Sequence, residues 1–144
     1  NTKMRIGFAV DDFPGHAGDT FCWPEIEMGG GSRLDLGCVP DSKQRPVGLK
    51  VFTDALKEGW AELRSPDGSE AFRFSFSIDQ IKHVAMWLNY GAWSGAGTPP
   101  YFNMAFEPAI GPCDALDIAV RYHHCAEIIP PMTIRSWSLD IEII

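Results

Sequence analysis

The sequence has no long apolar run and no cluster of basic residues, although 45% of its 144 residues are hydrophobic. A membrane-spanning helix needs about 20 consecutive apolar residues, so no membrane partner is expected. The net charge of −7 argues against a nucleic-acid partner, because surfaces that bind nucleic acid are basic. The length suits one globular domain, and we predict a single domain over residues 1–144.

Signatures of nucleophilic and metal-dependent catalysis are also lacking. There is no Gly-x-Ser-x-Gly motif and no pair of cysteines at Cys-x-x-Cys spacing. The four cysteines allow two disulfides by count, but a chain of this length does not need them, so we expect reduced thiols in a cytoplasmic protein. His123 and His124 adjoin Cys125, but adjacent residues of a strand point to opposite faces, so no metal site is expected there.

Short stretches of alternating apolar and polar residues, separated by turn residues, dominate the chain. In the clearest, 70–78, Phe or Ile recurs at every second position from Phe72, and Ser65-Pro66-Asp67-Gly68 joins it to 59–64, which predicts a hairpin. Further strands are expected at 4–10, 48–53, 83–89, 126–129 and 137–143. One short helix is expected at 114–122, capped by Cys113-Asp114. The pattern predicts an all-β fold, an antiparallel β-sandwich with at most one short helix.

A strand over 101–107 would carry the first group of candidate site residues. Period-two alternation puts Tyr101, Asn103 and Glu107 on one face, and Pro108 is expected to end the strand. A carboxylate beside an aromatic ring and an amide suits a ligand rich in hydroxyls, above all a sugar. The alternative is a solvated carboxylate at a sheet edge.

Aromatic and polar residues also alternate in the segment from Trp87 to Trp93, where Trp87 and Asn89 share one strand face. Sugars stack their apolar C–H faces on indole rings, and their hydroxyls need amide and carboxylate partners. This segment is therefore a second candidate for sugar binding. The alternative is that Trp87 belongs to the core and Trp93 fills a loop.

The order of these segments resembles the closing half of the aldose 1-epimerase, or galactose mutarotase-like, family. The resemblance rests on the segment 87–93, on Phe106-Glu107-Pro108 followed by Gly111-Pro112-Cys113-Asp114, and on Ile129-Pro130-Pro131 ahead of the last strand. It implies that the chain is the second half of a larger β-supersandwich. The first residues, Asn1-Thr2-Lys3, lack an initiator methionine, which also leads us to expect a processed chain or part of a longer one.

Members of this family open and reclose the ring of an aldose by acid and base catalysis, without a cofactor. The resemblance implies that Glu107 is the base and that Trp87 and Asn89 line the site of a monosaccharide or sugar derivative. Trp93, Asn103 and Lys50 are further candidate binding residues, and Lys50 would suit an anionic sugar. The family's acid His is expected in an N-terminal half of the same protein, a candidate partner. A non-catalytic carbohydrate-binding sandwich and a purely structural or interaction domain are the alternatives.

Overall fold

The computed structural model describes residues 2–10, 12–41, 46–96 and 98–144. Within these ranges, ten strands form three antiparallel sheets, and eight consecutive residues are helical, Leu116–Ile118 in the α form and Ala119–His123 in the π form. The strands are β1 Lys3–Ala9, β2 Thr20–Cys22, β3 Glu25–Glu27, β4 Arg33–Asp35, β5 Val47–Thr53, β6 Trp60–Arg64, β7 Ala71–Ser75, β8 His83–Tyr90, β9 Phe102–Ala109 and β10 Asp140–Ile143.

Two of the sheets face each other and give the protein its sandwich-like form. The large sheet has the strand order β2-β1-β5-β8-β9, and the small sheet has the order β10-β7-β6. Phe74 of the small sheet meets Phe106 of the large sheet edge to face, with ring centroids 5.4 Å apart. The all-β antiparallel fold is therefore confirmed. The third sheet is the β3-β4 hairpin.

The central strands of the large sheet are apolar for most of their length because both of their faces are covered. The inner face of this sheet, which is turned toward the small sheet, carries the buried side chains of Ile6, Leu49, Val51, Met86 and Leu88. Burial of such side chains contributes about 1.5–3 kcal/mol each to folding. The outer face of the same sheet carries the candidate site.

The hairpin predicted around 65–68 is confirmed, since β6 pairs with β7 across that turn. The prediction of a strand at 126–129 is wrong, because these residues form no strand. Pro108 does not end its strand, which continues to Ala109. This strand is an edge of the large sheet, where a residue without an N–H group is tolerated.

The helix lies where it was predicted, but its N-terminus is not capped as expected. Ala115 occupies the capping position and makes no side-chain hydrogen bond to the helix. The carboxylate of Asp114 bonds to Lys50 instead, because the turn after β9 directs it back over the large sheet. No helix among the described residues is long and apolar enough to cross a membrane.

Candidate functional site

Cross-strand pairing brings five predicted site residues onto the outer face of the large sheet. Lys50 of β5 lies opposite Trp87 of β8, and Asn89 lies opposite Asn103 of β9. Glu107 lies opposite Ala85, which makes it a diagonal neighbour of Trp87. The period-two prediction is therefore confirmed for Trp87 and Asn89 on β8 and for Asn103 and Glu107 on β9, whereas Tyr101, predicted on the same face, precedes the strand.

Lys50, Glu107 and Asp114 form an ionic cluster on this face. The Lys50 Nζ atom lies 2.8 Å from Oε2 of Glu107 and 2.6 Å from Oδ1 of Asp114. The Lys50 side chain is 16% exposed, whereas the two carboxylate side chains are 43% and 58% exposed. The ammonium group of Lys50 thus pairs with two carboxylates, so the cluster keeps a net negative charge.

The pKa of Lys50 shows which influence dominates in this cluster. Burial lowers this pKa, but the hydrogen bonds and charges of Asp114 and Glu107 outweigh burial and raise it above its ordinary value. Lys50 therefore remains an ammonium ion at neutral pH. Because two carboxylates already neutralise it, the cluster suits a neutral ligand better than an anionic one.

A row of four aromatic rings runs beside the ionic cluster. Phe8 and Trp87 have ring centroids 5.9 Å apart, Trp87 and Trp93 are 5.5 Å apart, and Trp93 and Tyr101 are 5.8 Å apart. Trp87 and Trp93 are half-buried, so part of each indole remains open to a ligand. We call these four residues the aromatic row.

The two asparagines on this face differ in what they offer a ligand. Asn89 is fully buried, and its amide donates to the carbonyl of Trp93 and accepts from the Trp93 N–H, both at 2.9 Å. Its side chain therefore positions Trp93 rather than meeting a ligand. Asn103 is exposed, and its side chain makes no hydrogen bond to any other described residue.

An open groove of about 750 Å³ lies next to the aromatic row. Phe8, Phe13 and Trp93 are among its lining residues. Neither Lys50 nor Glu107 lines it, so the ionic cluster lies outside this groove.

Phe8 and Asp114 are members of the site that sequence reasoning missed. Simple alternation from Ile6 would turn Phe8 inward, but a bulge between these two residues shifts the register and pairs Phe8 with Lys50. Gly7 at the bulge leaves room for the ring of Phe52, with which a Cβ atom would collide. Asp114 was given a capping role, and nothing in its local sequence signals the bond to Lys50.

Across the part of the chain that the structure describes, no group of three or more His, Cys, Asp or Glu side chains is arranged to hold a metal ion. His83 lies on the outer face at the far end of β8, where its Nδ1 atom is 2.8 Å from the carbonyl oxygen of Thr53. All four cysteines are free thiols.

No family model matches this chain, and no curated protein or solved structure is detectably similar to it. The resemblance to aldose 1-epimerases therefore rests on those sequence segments alone.

Proposed function

We propose that the outer face of the large sheet binds a neutral monosaccharide or sugar derivative, and that the chain is an aldose 1-epimerase-like protein in which Glu107 is the base. The observation that carries this proposal is the position of the ionic cluster beside Trp87 and the aromatic row. A sugar needs an aromatic ring on which its C–H face can stack and carboxylate oxygens that accept hydrogen bonds from its hydroxyls, and the two lie side by side here.

The carboxylates retain hydrogen-bonding capacity in this arrangement. Lys50 occupies Oε2 of Glu107 and Oδ1 of Asp114. The second oxygen of each carboxylate makes no hydrogen bond to another described residue. These two oxygens can accept hydrogen bonds from the hydroxyl groups of a sugar whose C–H face rests on Trp87.

In the proposed reaction, Glu107 takes the proton of the anomeric hydroxyl as the C1–O5 bond of the ring breaks. The ring oxygen needs a proton from an acid at the same time. The family resemblance assigns that acid to an N-terminal half. Lys50 would orient the Glu107 carboxylate toward the sugar.

A second candidate function is sugar binding without catalysis. The ion pair between Glu107 and Lys50 favours it, because a carboxylate held by an ammonium must weaken that bond to accept a proton. The exposure of the cluster favours it as well, because the Glu107 and Asp114 side chains are 43% and 58% exposed and water reaches them.

Binding is tested by titrating the protein with D-galactose and D-glucose while tryptophan fluorescence is recorded. We expect saturable binding at millimolar sugar and a loss of about tenfold in affinity for Trp87→Ala. Trp60→Ala is the matched control, because Trp60 is an exposed indole on the small sheet. Absence of saturable binding, or equal losses for the two variants, would contradict the proposal.

Catalysis is tested separately by polarimetry on freshly dissolved α-D-galactose. We expect the protein to accelerate anomer interconversion and Glu107→Gln to lose that acceleration, whereas Glu142→Gln, on the small sheet, retains it. Saturable binding without acceleration would support the non-catalytic function instead.

A further inference from the structure

A cavity of about 220 Å³ lies between the two sheets, on the side of the large sheet opposite the proposed sugar face. Met4, Met86 and Met104 of the large sheet form part of its wall, and Ala61 and Leu63 of the small sheet face them. Methionine side chains are flexible and polarisable, so this wall can adapt to the shape of an occupant.

Tyr90 is one of the polar residues that line this mostly apolar cavity, together with Thr2, Thr53 and Glu62. Tyr90 is 5% exposed, and its hydroxyl makes no hydrogen bond to any other described residue. Burial raises the pKa of Tyr90, so the hydroxyl keeps its proton and remains a donor. The Tyr90 hydroxyl is still reached by solvent, so an accepting oxygen on a ligand would replace water as its partner.

The cavity is open to solvent at one side. Leu63 and Val39 both line it, and they are 41% and 48% exposed. A molecule can therefore enter between the sheets without unfolding of either one. A sugar does not suit the cavity, because most of its hydroxyls would lose their hydrogen bonds to water and meet walls that are mostly apolar.

We propose that this inter-sheet cavity binds a small, largely apolar molecule that carries one hydrogen-bond-accepting oxygen, to which the Tyr90 hydroxyl donates. An apolar protein cavity of about 150 Å³ holds benzene, so scaling by volume gives an occupant of about nine non-hydrogen atoms. This site is independent of the sugar face, because the two lie on opposite sides of the large sheet.

Acetophenone and isopropylbenzene are suitable probes, because they match this size and differ mainly in the carbonyl group. Binding is followed by tryptophan fluorescence, since Trp23 lines the cavity, and by thermal unfolding. We expect both probes to saturate and to raise Tm by about 5 °C at ten times their Kd. Ala61→Leu, which fills the cavity, should abolish saturable binding of both.

The hydrogen bond is tested with Tyr90→Phe. Affinity for acetophenone should fall about fivefold, whereas affinity for isopropylbenzene should stay unchanged. Tyr122→Phe is the matched control, because Tyr122 is an exposed tyrosine on the helix. Trp87→Ala should leave both affinities intact, which separates this site from the sugar face.

Three results would overturn the inference. Failure of both probes to saturate would show that the cavity takes no such ligand. Binding that survives Ala61→Leu would place the probes elsewhere. Dissociation of an oligomer by Ala61→Leu, measured by sedimentation, would make a second copy of the chain the occupant. Far-UV circular dichroism confirms beforehand that each variant is folded.

Discussion

Replacement of Lys50 by methionine removes the charge at the centre of the ionic cluster and keeps the length of the side chain. Two charge-assisted hydrogen bonds are lost, and such bonds contribute about 1.5–3 kcal/mol each when they are buried. The carboxylate partners are 43% and 58% exposed, so solvent reduces each contribution toward the 0.2–1 kcal/mol of a surface pair. We expect Lys50→Met to lower the free energy of unfolding by about 1–2 kcal/mol.

Urea unfolding followed by tryptophan fluorescence measures this loss, and Tm should fall by about 4–8 °C. A double-mutant cycle then assigns it to the partners. Lys50→Met combined with Asp114→Asn, and separately with Glu107→Gln, should each show a coupling of about 0.5–1 kcal/mol. A change below about 0.3 kcal/mol together with strict additivity would refute the reasoning.

The same cluster gives stability a defined dependence on pH. Lys50 has a higher pKa in the folded protein than its ordinary value of 10.5. Its contribution is therefore fully present below pH 10.5 and is lost as the pH rises through the higher folded-state value. The stability difference between wild type and Lys50→Met should stay constant from neutral pH to pH 10.5 and shrink at higher pH.

Three further predictions concern other parts of the molecule. Leu49→Ala should destabilise the protein by about 3–4 kcal/mol in urea, because Leu49 is fully buried, whereas Leu116→Ala on the exposed helix should change stability by less than about 1 kcal/mol. Cys113 should react with iodoacetamide more slowly than the exposed cysteines at neutral pH, because burial and the neighbouring Cys125 thiol raise its pKa. Equal reaction rates, measured by mass spectrometry, would contradict this. Asp67 should titrate in NMR with a pKa of about 2, lowered by the hydroxyl of Ser65. Its stabilising effect is therefore present above its ordinary pKa of 3.8 and is lost as the pH falls toward 2. A titration midpoint near 3.8 would exclude the hydrogen bond.

Strand identity and side-chain direction were predictable wherever the residue pattern has period two and a turn defines the partner strand. The hairpin of β6 and β7 is the clearest case, because its turn residues specify how two neighbouring segments pair. The segment 126–129 has similar residues but forms no strand, since a strand requires a partner that local sequence does not reveal.

The site shows the same division between local and long-range information. Alternation grouped Trp87 with Asn89 and, separately, Asn103 with Glu107, because each pair lies on a strand without a bulge; the pairing of β8 with β9 puts both pairs on one face. The inward or outward direction of Phe8 depended on a register shift against β5, and the partner of Asp114 depended on the path of the chain after β9. Neither can be read from neighbouring residues.

Pro108 has a consequence for how this protein behaves at high concentration. It lies on β9, the outermost strand on one side of the large sheet, while the opposite outermost strand, β2, is three residues long. A foreign strand that approaches β9 meets a position that cannot donate, and one that approaches β2 finds too few groups to bond. Intermolecular growth of this sheet into fibrils is thereby hindered at both margins, and Pro108→Val would remove that protection on one of them.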